Sequence, residues 1–135
     1  MNILFDLNVL IDVACRWQDF PSSLELYNHV VASPQHEGAF AACGYTTLYY
    51  VLNQLLSEAR TRAVLAQFRQ RLTLLPFTER IAAAAHLLQM TDLEDACIAA
   101  TALEGRCEVI ATRNVDDFRV SPILAKHPAD ILSGL

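Results

Sequence analysis

Glycine and proline are scarce in this chain, which has four glycines and five prolines among its 135 residues. Together with 53% hydrophobic and 19% charged residues, that scarcity excludes a disordered, fibrous or linker-rich protein. No apolar run reaches the roughly 18 residues of a membrane-spanning helix, and no basic segment precedes the first apolar one. The sequence therefore predicts a single soluble domain over residues 1–135 with a sizeable core.

The sequence also lacks the residue spacings of several common functional sites. Its four cysteines form no C-x-x-C pair, and neither they nor the four histidines have the spacing of a zinc site. Reduced thiols, and with them a cytoplasmic location, are therefore predicted. There is no P-loop, no G-x-G-x-x-G fingerprint and no serine nucleophile elbow, so none of these motifs indicates the chemistry.

Basic residues are outnumbered, because the formal net charge is −5 and lysine occurs only once. This balance lowers the expectation of unaided nucleic-acid binding, since clustered Lys and Arg normally neutralise phosphates. Five of the ten basic residues fall between positions 60 and 80. Glu58 and Arg62 are also spaced to pair along a solvated helix. The candidate phosphate contacts are Arg60, Arg62, Arg69 and Arg113.

The apolar pattern alternates between short strand-like runs and longer runs with helical spacing. Strands are predicted at 2–5, 38–43, 74–77 and 108–112. Helices are predicted to begin at 7, at 22 or 23, at 46 or 47, at 57, at 78 and at 91. This alternation predicts an α/β fold, a three-layer α/β/α sandwich with a central, mostly parallel sheet. Functional groups in such sheets gather at the carboxyl ends of the strands.

Asp6 lies where the first predicted strand turns into a helix. Its side chain can cap that helix by accepting the backbone N–H of Asn8 or Val9. With Asn8 it can also offer oxygen ligands to a hard cation. The two roles are compatible, so both remain open.

A second group of polar residues, Asn114, Asp116 and Asp117, follows the strand predicted at 108–112. Composition alone favours a solvated turn. If the ends of this strand and the first strand are neighbours, however, these residues meet Asp6. Phe118 is predicted to pack into the core and to fix the orientation of Asp117, which leaves Asp116 the more exposed of the two acids.

The third acidic position is Asp95, at the start of a predicted helix. Thr91 and Glu94 match a capping box, which predicts a structural role for Glu94. Asp95 instead shares a helix face with apolar residues such as Ile98, Ala99 and Ala102. Burying an unpaired carboxylate costs several kcal/mol, so a charge there predicts a cation, a hydrogen-bond cluster or an open cleft.

Three segments, at 3–12, 93–102 and 110–118, resemble the acidic motifs of PIN domains in their order and separation. The resemblance spans nearly the whole chain. It implies a nuclease in which three or four acidic residues hold Mg²⁺ or Mn²⁺ beside the sheet, for hydrolysis of RNA phosphodiesters. Carried over by motif, the catalytic and metal-binding residues are Asp6, Asp95 and Asp117. The supporting residues are Asn8, Asn114, Asp116 and Thr47.

Thr47 marks a departure from the family pattern. Many PIN domains carry a Glu on the helix after the second strand, whereas the corresponding segment 45–50 contains no acid. The resemblance therefore leaves two hypotheses open. One is a metal-dependent endoribonuclease that leaves a 3′-hydroxyl, the toxin of a toxin–antitoxin pair, with a small antitoxin as partner and a homodimer as the default. The other is a PIN-like module that binds nucleic acid or protein without turnover.

A third hypothesis, a phosphohydrolase of the haloacid dehalogenase type, fits the residues poorly. A strand that ends in Asp6 superficially resembles the nucleophile loop of that class. The class requires a second Asp at position 8, where this chain has Asn8, and usually a Lys before the late acidic pair. The one lysine, Lys126, comes after that pair.

Overall fold

All five strands of the protein join one sheet. In the computed structural model, which describes residues 1–135, the strands are β1 Asn2–Phe5, β2 Glu37–Ala41, β3 Thr73–Leu75, β4 Val109–Ala111 and β5 Leu124–Lys126. Their order is β3-β2-β1-β4-β5, and every neighbouring pair is parallel. All carboxyl ends therefore meet at one edge, with the end of β1 between those of β2 and β4.

Seven helices cover the two faces of this sheet. They are α1 Leu7–Cys15, α2 Pro21–Ala32, α3 Tyr45–Leu55, α4 Glu58–Arg71, α5 Glu79–Leu87, α6 Leu93–Glu104 and α7 Pro128–Ser133. Two short 3₁₀ turns occupy Ala42–Gly44 and Val115–Phe118. No helix combines the length and the apolar character needed to cross a membrane.

The alternation of side chains along β1 divides the core into two layers. Ile3 and Phe5 belong to the larger layer, which contains buried residues of α1, α2, α3, α4 and α7. Leu4 belongs to the opposite layer, which is built mainly from small residues of the strands and from Ile98, Ala99 and Ala102 of α6. Helices thus cover both faces, and the predicted three-layer α/β/α sandwich with a parallel sheet is confirmed.

Several predicted boundaries were wrong by a few residues. The second strand ends at Ala41 rather than at 43, because a 3₁₀ turn begins there. No threonine caps α3, since that helix begins at Tyr45 directly after the turn and its N-cap Gly44 provides no side-chain bond. The helix predicted from position 78 ends at Leu87, and β5 and α7 were not predicted at all.

The larger core layer offers a direct test of this packing. Phe40 is fully buried and its ring meets those of Tyr45 and Phe68. Phe40→Ala should lower the free energy of unfolding by about 3–5 kcal/mol, because it removes apolar contacts and leaves a cavity. Urea denaturation measures this change. The control Leu87→Ala, at a position 84% exposed, should change it by less than about 0.5 kcal/mol, and equal effects at the two sites would contradict the described core.

Candidate acidic site at the carboxyl ends of β1 and β4

Asp6 is fixed at the end of β1 by three hydrogen bonds to its buried side chain. Oδ1 accepts the backbone N–H of Leu7 at 2.9 Å, and so caps α1. Oδ2 accepts the hydroxyl of Thr112 at 2.8 Å and the amide of Asn8 at 3.2 Å. The predicted capping role is therefore present, although the N–H belongs to Leu7 rather than to Asn8 or Val9.

Thr112 links Asp6 to the loop that follows β4. Its hydroxyl, besides donating to Asp6, accepts the backbone N–H of Asn114 at 3.0 Å and the amide of Asn8 at 3.2 Å. The carbonyl oxygen of Asn8 accepts the backbone N–H of Arg113 at 3.1 Å. This network holds the two strand ends together, as their predicted proximity requires. Thr112 was not predicted as a site residue, and its only local signal is its position directly after a buried strand.

The start of α6 differs from the predicted capping box. The N-cap is Asp92, whose carboxylate accepts the backbone N–H of Asp95 at 3.0 Å, so the proposed cap by Thr91 is wrong. Glu94 does not turn back to Thr91 either. It accepts the hydroxyl of Thr47 on α3 at 3.1 Å. A carboxylate thus lies beside Thr47, where α3 itself carries none.

Negative charges converge on Asp95, which lies in the first turn of α6. Partial burial raises the pKa of its carboxyl to about 7, and the charge of Asp6 is the next cause. Asp92, Asp117 and Glu94 raise it further, in that order. Burial and the neighbouring carboxylates thus both disfavour the charged form of Asp95, whose side chain lines an open cleft, one of the three surroundings predicted for it.

The pKa of Asp6 is also raised. Burial is the main cause, and the hydrogen bonds from Thr112 and Leu7 partly offset it. The charges of Glu94 and Asp117 act in the same direction as burial. Asp6 and Asp95 therefore both experience the charges of Glu94 and Asp117, which makes Glu94 a site residue that the sequence analysis had assigned to capping.

Asp117 lies in the 3₁₀ turn after β4, where its backbone N–H binds the carbonyl of Asn114 at 3.0 Å. Phe118 is buried among residues of the sheet and α6, as predicted, and anchors this turn. Asp116 and Asp117 are both exposed. Only Asp117 contributes to the raised pKa values of Asp6 and Asp95, so it is the closer of the two to the site electrostatically.

An open cleft of about 560 Å³ runs along Asp95 and Asp117, whereas Asp6 and Glu94 do not line it. One wall is the segment between α5 and α6, and the other is the turn after β4. Its lining residues are Gln89, Met90, Thr91, Asp92, Asp95, Asp116, Asp117, Arg119 and Val120.

The donor chemistry of the site fits a hard divalent cation, although the side chains do not yet form a coordination cage. No group of three or more His, Cys, Asp or Glu side chains stands close enough together to hold a metal ion. The available donors are nevertheless oxygens, which Mg²⁺ and Mn²⁺ prefer. Asp6, Asp95 and Asp117 are the acids that could bind it, and a cation would relieve the repulsion that contributes to the raised pKa values of Asp6 and Asp95.

The arginines singled out from the sequence lie elsewhere. Arg62 pairs with Glu58 at 2.7 Å on the exposed side of α4, as the i,i+4 spacing predicts. Arg60 and Arg69 are on the same helix, which packs beside α3 and β3. Since β3 is the edge strand farthest from β4 and β5, this helix covers the side of the sheet away from the cleft.

Arg113 makes a buried ion pair and does not extend freely into solvent. Its Nε lies 2.8 Å from Oδ2 of Asp12, which also accepts the hydroxyl of Ser23 at 2.7 Å. Its guanidinium lies 3.8 Å from the centroid of the Phe20 ring. These contacts correct the expectation of a free phosphate contact, because the side chain connects the β4 loop to α1 and α2.

Arg113→Ala should therefore act on stability. Asp12 would be left as an unpaired charge with a fully buried side chain, so the free energy of unfolding should fall by about 3–5 kcal/mol. The double variant Asp12→Asn/Arg113→Met removes both charges and should recover much of that loss. Chemical denaturation measures both. Equal stability of Arg113→Ala and the unmodified protein would contradict the ion pair.

The raised pKa of Asp95 predicts a pH-dependent effect of Asp95→Asn on stability. Asp95 ionises near pH 7 in the folded protein and near its ordinary value of 3.8 in the unfolded chain, so its ionisation destabilises the fold as pH rises through that interval. Without divalent cations, the variant should be the more stable protein above pH 7, and the difference should shrink towards about pH 4. Urea denaturation across this range, with Glu25→Gln as an exposed control, measures it. A difference independent of pH would contradict the electrostatic account.

Comparisons with known proteins identify the family and the fold of this chain. A PIN domain family model matches residues 2–116. VapBC2 from Rickettsia felis, bound to a promoter DNA fragment, is similar in structure, with a TM-score of 0.75, 15% identity and coverage of 94% of this chain and 98% of the other. FitAcB from Neisseria gonorrhoeae is also similar, with a TM-score of 0.71 and 21% identity. The match covers 94% of this chain and 98% of the other.

A toxin–antitoxin complex from Klebsiella pneumoniae has a TM-score of 0.69 and 25% identity, over 93% of this chain and 97% of that one. No curated protein sequence matches significantly. The family model covers most of the chain, including the ends of β1 and β4 and the start of α6. The chain therefore belongs to the PIN domain family.

Proposed function

We propose that this protein is a divalent-metal-dependent endoribonuclease and the toxin of a toxin–antitoxin pair. The observation that supports the proposal is electrostatic: the charge of Asp117, in the turn after β4, raises the pKa values of both Asp6 at the end of β1 and Asp95 at the start of α6. Carboxylates held this way in a PIN domain are suited to binding a cation that meets a phosphodiester.

Mg²⁺ or Mn²⁺ is the proposed cofactor. Asp6, Asp95 and Asp117 would hold it, and when bound it would supply an activated water and offset charge that develops on the phosphate. The hydrogen bonds of Asp6 fix one carboxylate in advance, which limits the reorganisation that binding requires. The residues proposed to support the site are Asn8, Asn114, Asp116 and Thr47.

RNA is the proposed substrate, and hydrolysis would leave a 3′-hydroxyl. The similar structures include complexes of toxin with antitoxin, and some also contain DNA. A small antitoxin is accordingly the proposed protein partner here, with a homodimer as the proposed assembly. A cytoplasmic location fits the four free cysteines.

One observation favours a second candidate function, a PIN-like module that binds nucleic acid or protein without turnover. The acids do not stand in a ready coordination cage, and α3 offers Thr47 where an acid would strengthen cation binding. Turnover that depends on a divalent metal distinguishes the two functions.

Cleavage of a mixed pool of structured and single-stranded RNAs, with Mg²⁺ or Mn²⁺, is the test. Asp6→Asn and Asp95→Asn should each reduce the cleavage rate by about 100-fold or more, because each removes a charge that would hold the cation. Chelator should abolish cleavage. Glu25→Gln, an exposed acid on α2, is the matched control and should retain the full rate.

The same assay decides between the candidates. Cleavage that is equal in the protein and its Asp variants would come from a contaminant and would contradict the nuclease proposal. Absence of cleavage with retained RNA binding would support the binding module. A thermal shift on addition of Mn²⁺, present in the unmodified protein and reduced in both Asp variants, measures metal binding separately from turnover.

A further inference from the structure

Arg119 is the only basic residue that lines the acidic cleft. It follows the 3₁₀ turn that carries Asp117, and its backbone N–H binds the carbonyl of Asp116 at 3.3 Å. The position of its side chain is therefore tied to the same turn as the site acids.

The guanidinium of Arg119 has no partner within the protein. It makes no ion pair, even though four carboxylates line the same cleft, and it donates no side-chain hydrogen bond. Arg62 and Arg113, by contrast, are bound to acids at 2.7 and 2.8 Å. Arg60 lines a separate depression on α4 that contains none of the site acids. Arg119 thus combines a free guanidinium with a place at the site.

A polyanion that enters this cleft is repelled by the four carboxylates that line it. The phosphate at the proposed metal site would be neutralised by the cation, but its neighbour along the chain would face Asp116 and Asp117 without compensation. An arginine can meet such a phosphate with two parallel N–H donors. Arg119 is the one residue of the cleft that can provide them.

We propose that Arg119 binds the phosphate next to the scissile one in a single-stranded polynucleotide. This inference rests on the proposed function and assigns a second subsite to it. A single strand is favoured because the cleft has one basic side chain, Arg119, to bind one further phosphate. A duplex would bring the phosphates of a second strand, and no other basic side chain of the cleft could bind them.

The opposite wall explains how the rest of the nucleotide would be received. Gln89, Met90 and Thr91 carry no charge there, and they offer an amide, a polarizable thioether and a hydroxyl. A cleft of about 560 Å³ is in the range of sites for small-molecule groups. Since phosphate contacts position a strand without reading its sequence, this subsite should add affinity with little base selectivity.

The test measures binding in a protein that does not turn over. A fluorescent single-stranded RNA oligonucleotide is titrated with the Asp95→Asn protein in Mg²⁺ at several salt concentrations. Adding Arg119→Ala should weaken binding about tenfold and reduce the slope of log affinity against log salt by about 0.7, the loss of one phosphate contact. Arg119→Lys should keep the slope and lose part of the affinity, because lysine retains the positive charge but lacks the paired N–H donors of the guanidinium.

Two matched variants complete the design. Arg80→Ala removes an exposed arginine that lies 3.9 Å from Glu104, at the end of α6 opposite Asp95, and should change neither quantity. Arg60→Ala/Arg69→Ala removes the charges on α4. If affinity and slope fall in that double variant and not in Arg119→Ala, the phosphate path runs along α4 and the inference is wrong.

Different outcomes would overturn the Arg119 subsite and the proposed nuclease activity. Unchanged affinity and slope in Arg119→Ala would overturn the subsite even if the unmodified protein cleaves RNA. No RNA binding by either the unmodified or the Asp95→Asn protein would overturn it as well. Weakened binding in Arg119→Ala, together with no cleavage by the unmodified protein, would support the subsite and refute the nuclease. Thermal denaturation should show equal stability for Arg119→Ala and its parent, since the side chain contacts no partner.

Discussion

The hydrogen bond between Thr112 and the buried carboxylate of Asp6 joins the ends of β1 and β4, and the geometry of the site depends on it. Through the same hydroxyl, the loop after β4 is bound to Asn8 in the first turn of α1. A charge as buried as Asp6 is tolerated because all its nearby donors are fixed by the strands and the helix N-terminus. The fold thus holds one carboxylate in place, and the other acids are arranged around it.

The other acids have fewer hydrogen bonds to their side chains than Asp6, and their charges repel one another. Asp95 and Glu94 lie at the start of α6 and Asp117 lies in a turn, and the charges of Glu94 and Asp117 raise the pKa values of both Asp6 and Asp95. The folded state therefore carries a repulsion between carboxylates at Asp6 and Asp95 that a bound cation would reduce. Local destabilisation of this kind is common at functional sites, where it is offset by packing elsewhere. Here the offset comes from two core layers on either side of the sheet.

Short-range sequence patterns were enough to predict four of the five strands, the position of Asp6 and the anchoring of the turn by Phe118, because each depends on a few neighbouring residues. The start of α6 was predicted wrongly because two adjacent residues, Thr91 and Asp92, can both cap a helix, and only the tertiary path of the chain selects Asp92. The pairing of Arg113 with Asp12 spans 101 positions, and no local pattern encodes it. β5 and α7 were missed because three and six residues are too few to show a period.

The contact between Thr47 and Glu94 bears on how members of the PIN domain family are recognised. A search pattern that requires an acid on α3 would classify this chain as degenerate, since it finds a threonine there. In space, however, a carboxylate oxygen from α6 stands 3.1 Å from that threonine hydroxyl. The carboxylate beside position 47 is thus contributed by α6 and not by α3. For such proteins, acids are better counted around a point in the fold than along columns of an alignment.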